Sequence, residues 1–207
     1  MLYDITPPVT PSLAVWPGDT PMSREVLLDM QKGDNITLST LRATVHLGAH
    51  ADAPSHYGKD GETIEQRTLG PYLGPAQIIG VDVPRGQRIT PAHLPQKVNI
   101  REKRVLFKTG SFPDPNAFNT DFVALSPELI DMLAARGVVL IGIDTPSVDT
   151  FDSKDLPAHN ALLRNNMAVL EGIDLSEVPF GRYELIALPL KLVGFDASPV
   201  RAVLRQI

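Results

Sequence analysis

The chain has no cysteine, which excludes disulfides, thiolate nucleophiles and sulfur-ligated metals; any metal must be held by nitrogen and oxygen. It also lacks an excess of positive charge. A formal net charge of −5 over 207 residues argues against the basic face that nucleic acid requires. No apolar run approaches the roughly 20 residues needed to cross a bilayer, and the opening MLYDITPPVTPSL lacks the basic segment and apolar core of a secretion signal. A cytoplasmic protein without a nucleic-acid or membrane partner is the expectation. The serine-hydrolase nucleophile elbow, G-x-S-x-G, is missing as well; GSFPD at 110–114 does not match it.

Apolar residues make up 43% of the chain, enough for a core without covalent staples. Nineteen prolines are nearly twice the usual share of about 5%, and they are spread throughout instead of forming a linker. Without a linker or internal repeat, residues 1–207 read as one domain. Residues 1–23, with Pro7, Pro8, Pro11, Pro17 and Pro21, read as an extended arm carrying the only tryptophan, Trp16. Strand-like runs follow at 38–47, 76–83, 104–110, 138–144, 167–171, 184–192 and 200–207. The clearest helix is 127–137, with Ser126 as N-cap, Pro127 at the first helical position and Gly137 past the end. A shorter helix is expected over 158–166 and a single turn at 90–95. Strands outnumber helices, so the pattern predicts a mixed α/β domain around a substantial sheet.

Three of the five histidines fall within HLGAHADAPSHY, residues 46–57. His46, His50, Asp52 and His56 all sit at even positions. A helix would place His46 and His50 on one face, but Gly48 disfavours it and Pro54 opposes its continuation. In a strand, even positions share one side. Four residues of straight strand span roughly 13 Å, whereas donors on one zinc lie within about 4 Å of each other. The chain is therefore expected to bend near Gly48 to Ala51. Burying four such groups together without a ligand is costly, so the cluster reads as a metal site. Taken alone, Glu171 reads as a solvated carboxylate, His93 as a surface histidine and Trp16 as a core residue.

The stretch fits H-x-G-[TA]-H-x-D-x-P-x-H, the metal signature of the cyclase-like metal-dependent hydrolases. With YDITPPVTPSLAVWPGDTP at the start and GIDTPSVD at 142–149, the chain resembles the kynurenine formamidases (arylformamidases) of that family over essentially its whole length. The resemblance implies a swivelling β/β/α-type domain, a mixed sheet flanked by helices. It also implies two divalent metal ions per subunit, usually zinc, with manganese as the alternative. His46, His50 and Asp52 would hold one ion, Asp52 bridging to a second held by His159, with Glu171 touching both. His56 would be the catalytic proton shuttle and Trp16 a substrate contact. The implied reaction is hydrolysis of N-formyl-L-kynurenine to L-kynurenine and formate in tryptophan degradation, by a water that two metals activate. A homodimer is implied too. Ala49, where many relatives carry threonine, removes no ligand.

The residues agree with this carry-over. A short helix bearing His159 and a strand ending at Glu171 can return both to one site. Three histidines and two carboxylates exceed the three protein ligands of one open zinc and suit two ions. Thr109, Asp144, Ser147 and Asp149 read as turn-building and supporting residues. A cyclic-amide hydrolase, such as one opening isatin, and a non-catalytic metal-binding homologue remain alternatives.

Overall fold

The structure, a computed structural model, describes all 207 residues. The first strands are β1 (Leu2–Asp4), β2 (Ser23–Leu28), β3 (Leu38–Arg42), β4 (His50–Asp52) and β5 (Leu73–Gly80). They are followed by β6 (Arg88–Ile89), β7 (Arg104–Lys108), β8 (Ala124–Leu125), β9 (Leu140–Ile143) and β10 (Ala168–Glu171). The last three are β11 (Gly181–Ile186), β12 (Ala197–Pro199) and β13 (Val203–Gln206). Three α-helices intervene: α1 (Pro54–Tyr57), α2 (Pro127–Ala135) and α3 (Pro157–Arg164).

Nine strands join in one sheet, in the order β1-β13-β11-β5-β7-β9-β10-β4-β12. Strands β5, β7, β9 and β10 run parallel, and antiparallel strands flank them on both sides. Of these, β7, β9 and β10 are buried on both faces, which explains their largely apolar sequences. On β7, Leu106 enters one core while Val105 and Phe107 enter the other. On β10, Ala168 and Leu170 face the first core and Val169 the second. Helices α2 and α3 pack over the second face through Leu129, Ile130, Leu133, Ala161 and Leu162. The mixed α/β domain with flanking helices is the architecture expected. No helix is long and apolar enough to cross a membrane.

Helix α2 starts and stops for the expected reasons. Ser126 Oγ accepts the Leu129 N–H at 3.2 Å, Pro127 opens the helix, and Gly137 adopts a left-handed φ of 81° just past its end. The turn expected at 90–95 is a single 3₁₀ turn, Pro91–His93. Other boundaries differ. The run at 38–47 is not one strand: β3 ends at Arg42, and Thr44 Oγ1 then accepts the His46 N–H at 3.2 Å in a tight turn. The even-numbered residues therefore do not share one strand face. His46 lies in a turn, His50 and Asp52 on β4, and His56 on α1. The expected bend does occur, at Gly48 with φ 56°. The run at 184–192 gives way to β11, which starts at Gly181 and ends at Ile186 ahead of Pro189, and the run at 200–207 shortens to β13.

Within the N-terminal arm, Leu2–Asp4 pair with β13 at the sheet edge. The hairpin of β2 and β3 forms its own two-stranded sheet and leaves Val26, Leu27, Leu38 and Leu41 exposed. Gly172, directly after β10, has φ 63°, and a Cβ there would lie 2.3 Å from the Gly48 carbonyl oxygen. This contact clamps the His50 turn against the end of β10.

Candidate metal centre

Strand pairing builds the centre. Between β4 and β10, His50 stands opposite Glu171 and Asp52 opposite Val169. Directly paired residues point to the same side with Cβ atoms about 5 Å apart. His50, Asp52 and Glu171 therefore project from the face on which α3 packs, while Ala51 enters the opposite core. His159, near the start of α3, meets them from above.

The donor atoms converge. His50 Nε2 lies 3.5 Å from Asp52 Oδ1 and 3.5 Å from Glu171 Oε2. His159 Nε2 lies 3.6 Å from Asp52 Oδ2 and 3.5 Å from Glu171 Oε1. His46 Nδ1 is 2.9 Å from Asp52 Oδ1, though without hydrogen-bond alignment. These separations match donors sharing a cation at bond lengths near 2 Å, which sit about 3–4 Å apart. The structure thus brings together His46, His50, Asp52, His56, His159 and Glu171, all named from the sequence.

The far sides of the rings are held. His50 Nδ1 donates to the Gly48 carbonyl at 2.8 Å, leaving Nε2 as the inward donor atom. His159 Nδ1 donates to Asp149 Oδ2 at 2.8 Å. Asp149 also accepts the N–H groups of Ala158 and His159 and pairs with Arg88 at 2.7 Å. It thereby caps α3, whose own N-cap, Leu156, sits at φ 45° with no side-chain cap. Burial opposes its ionisation, but His159 and the two N–H groups hold its carboxyl below the usual range. The supporting role expected of Asp149 is visible in these contacts. Asp144 accepts from the N–H and hydroxyl of Thr109 and from Gly110 N–H, tying the ends of β7 and β9 together. Burial nevertheless raises its pKa. The Ser147 hydroxyl accepts the Asp149 N–H at 3.1 Å.

The donor set fits a cation. Asp52 is 1% exposed, and neither of its oxygens has a hydrogen-bond partner. His159 Nε2 is buried and equally orphaned. A buried carboxylate in that state requires positive charge beside it. Burial works against its ionisation, yet contacts to His159 and His46 keep its pKa well below normal. Glu171 is likewise depressed by His159 and His50, against burial and the Asp52 charge, and its Oε1 accepts the Val148 N–H at 2.7 Å. Both carboxylates are thus held ionised.

Sequence reasoning missed Asp196. Its Oδ2 lies 3.0 Å from His46 Nε2 and 3.2 Å from His56 Nδ1. Asp196 reaches the centre because it precedes β12, which pairs with β4 so that Ala197 faces Asp52. The sheet topology, not a local motif, reveals it. His56 stands half-exposed on α1, with its ring centroid 4.2 Å from that of His46. His46, Asp52 and His56 also form a close group of potential ligand atoms, so position alone leaves His56 two roles, ligand or proton carrier. His93 lies outside this centre. Its Nδ1 accepts the Thr90 N–H at 3.0 Å, so it closes a turn and is more than a surface residue.

A cavity of about 750 Å³ opens onto the centre. Trp16 lines it, 36% exposed, with ring centroids 5.1 Å from Phe151 and 5.5 Å from Phe118. Phe112 adds to the same wall. The proline-stiffened arm therefore forms one side of the cavity that His46, His50, His56 and His159 also line.

The chain is similar to several known proteins. The Cyclase family, described as "Putative cyclase", matches residues 3–150. A solved structure of a potential metal-dependent hydrolase with cyclase activity is 29% identical, with a TM-score of 0.83 over 99% of this chain and 96% of that one. A predicted metal-dependent hydrolase from Bacillus stearothermophilus is also 29% identical, with a TM-score of 0.81 over 99% and 97%. Isatin hydrolase A from Labrenzia aggregata shares the fold at 23% identity, with a TM-score of 0.84 over 99% and 93%.

Proposed function

Since the chain belongs to the Cyclase family, we propose that it is a metal-dependent amidohydrolase that converts N-formyl-L-kynurenine to L-kynurenine and formate, a step of tryptophan degradation. One observation carries the reading: a His/Asp/Glu centre with two buried carboxylates opens into a cavity walled by Trp16, Phe112 and Phe118. We further propose two ions, zinc or manganese. Asp52 and Glu171 each turn one oxygen toward His50 and the other toward His159, so these four residues would hold the ions. His46 would complete the His50 side.

When bound, the ions lower the pKa of water toward neutrality and polarise a carbonyl oxygen. The chain supplies the rest. The aromatic wall orients the aryl ring so that its formamide faces the centre. His56 takes a proton from the attacking water and delivers it to the anilide nitrogen as the C–N bond breaks, because an aromatic amine leaves poorly as an anion. Asp196 holds His56 Nδ1, so Nε2 is the nitrogen that exchanges protons. Ring opening of isatin would use the same centre and is the second reading.

Metal analysis of the purified protein, with formate release measured before and after chelation, tests the proposal. Bound divalent metal and chelator-sensitive formate release are expected; full activity in metal-free protein would refute it. We also propose a homodimer, supported by the exposed apolar residues of the β2–β3 hairpin, since two strands alone are marginally stable in water. Light scattering should give about twice 22.5 kDa, and a monomer mass would reject it.

A further inference from the structure

Lys108 and Asp174 line the cavity that holds the metal centre, and the reaction as derived above uses neither. Lys108 is the one lysine or arginine in that lining. Its ammonium donates to the carbonyl oxygens of Ser176, at 2.7 Å, and Val178, at 3.2 Å, and lies 5.9 Å over the Phe180 ring. Its partners are dipoles and a π face, not carboxylates, so its positive charge is positioned but not neutralised. Asp174 accepts the Ser176 N–H through Oδ1 at 2.9 Å and pairs with no cation. One residue, Ser176, thus anchors both charges, the cation on its carbonyl and the anion on its N–H. The other acidic groups of the lining differ: Asp144 is satisfied by three donors, Glu171 belongs to the centre, and Asp19 accepts the Thr20 N–H at 2.6 Å and shares no anchoring residue with Lys108.

Two opposite charges, anchored on one residue and not paired with each other, complement a zwitterion, in which a carboxylate and an ammonium share one carbon. We propose that Lys108 and Asp174 form a subsite for the α-carboxylate and α-ammonium of an α-amino acid side arm carried by the aryl substrate. This rests on the formamidase reading and sharpens it, since a bicyclic amide such as isatin offers neither charge. Charge complementarity contributes mainly to discrimination between ligands.

Binding tests the subsite without turnover. The metal-loaded protein is titrated calorimetrically with L-kynurenine and with 2-aminoacetophenone, which keeps the ring, ketone and amine but lacks the charged arm. The wild type should bind L-kynurenine about tenfold or more tightly, the effect of one or two charge-assisted hydrogen bonds. In Lys108→Met and Asp174→Asn that ratio should fall toward one, while Lys108→Arg retains it. The ratio is read within each variant, so a general loss of fold lowers both affinities and does not imitate the effect. An equal affinity in the wild type, or an unchanged ratio in both neutral variants, overturns the subsite. Failure of formate release with the binding preference intact would instead overturn the formamidase reading and leave the subsite standing.

Discussion

Asp196 Oδ2 lies 3.2 Å from His56 Nδ1, and the same oxygen lies 3.0 Å from His46 Nε2. One carboxylate therefore contacts two imidazoles, both of which line the cavity. Asp196→Asn keeps the size but can accept from the two rings only through one neutral oxygen. Its kcat should fall about 10–100-fold, the usual cost of removing a partner behind a ligand or shuttle. Steady-state kinetics beside metal analysis would check this; an unchanged kcat would show that the shared carboxylate is incidental.

His56→Ala separates the two roles its position allows. As a proton carrier, His56 is worth about 10²–10⁴ in rate, and its loss should leave metal content intact. Mass-spectrometric metal analysis and turnover on the same sample decide the matter. If metal disappears together with activity, His56 is a ligand.

Protons and metal compete for His46. Burial opposes its charge, but Asp52 and Asp196 outweigh burial and raise its pKa from 6.5 to about 9. In the metal-free protein this charge stabilises the fold fully below pH 6.5, and the contribution is lost as pH rises through about 9. His159 is raised in the same direction by Asp149, Asp52 and Glu171, against its burial. Metal uptake at pH 7 must displace such protons, so apparent affinity should climb as pH rises toward 9. Calorimetry in buffers of different ionisation enthalpy measures the protons released. Binding with no proton release would contradict the arrangement.

Much of this was legible in the sequence because the information is local. The apolar runs around Leu106, Ile141 and Val169 become central strands, and Ser126, Pro127 and Gly137 delimit α2. The residues His46, His50, Asp52, His56, His159 and Glu171 do meet, although the geometry that joins them was only partly readable. A single strand was expected to carry the histidines. Thr44 and Gly48 instead turn the chain twice, and α1 lifts His56 away from β4. Asp196 and Lys108 stayed hidden for a different reason. Each reaches the centre or its cavity through pairing of strands distant in sequence, β12 on β4 and β7 on β5 and β9. No single-sequence periodicity encodes that pairing.

The central claim is hydrolysis of an aryl formamide. It is tested most directly by kcat/KM for N-formyl-L-kynurenine and for isatin, measured in parallel on the same metal-loaded preparation. The account predicts a clear preference for N-formyl-L-kynurenine, abolished by chelation. A large preference for isatin, or hydrolysis of neither compound, would contradict it.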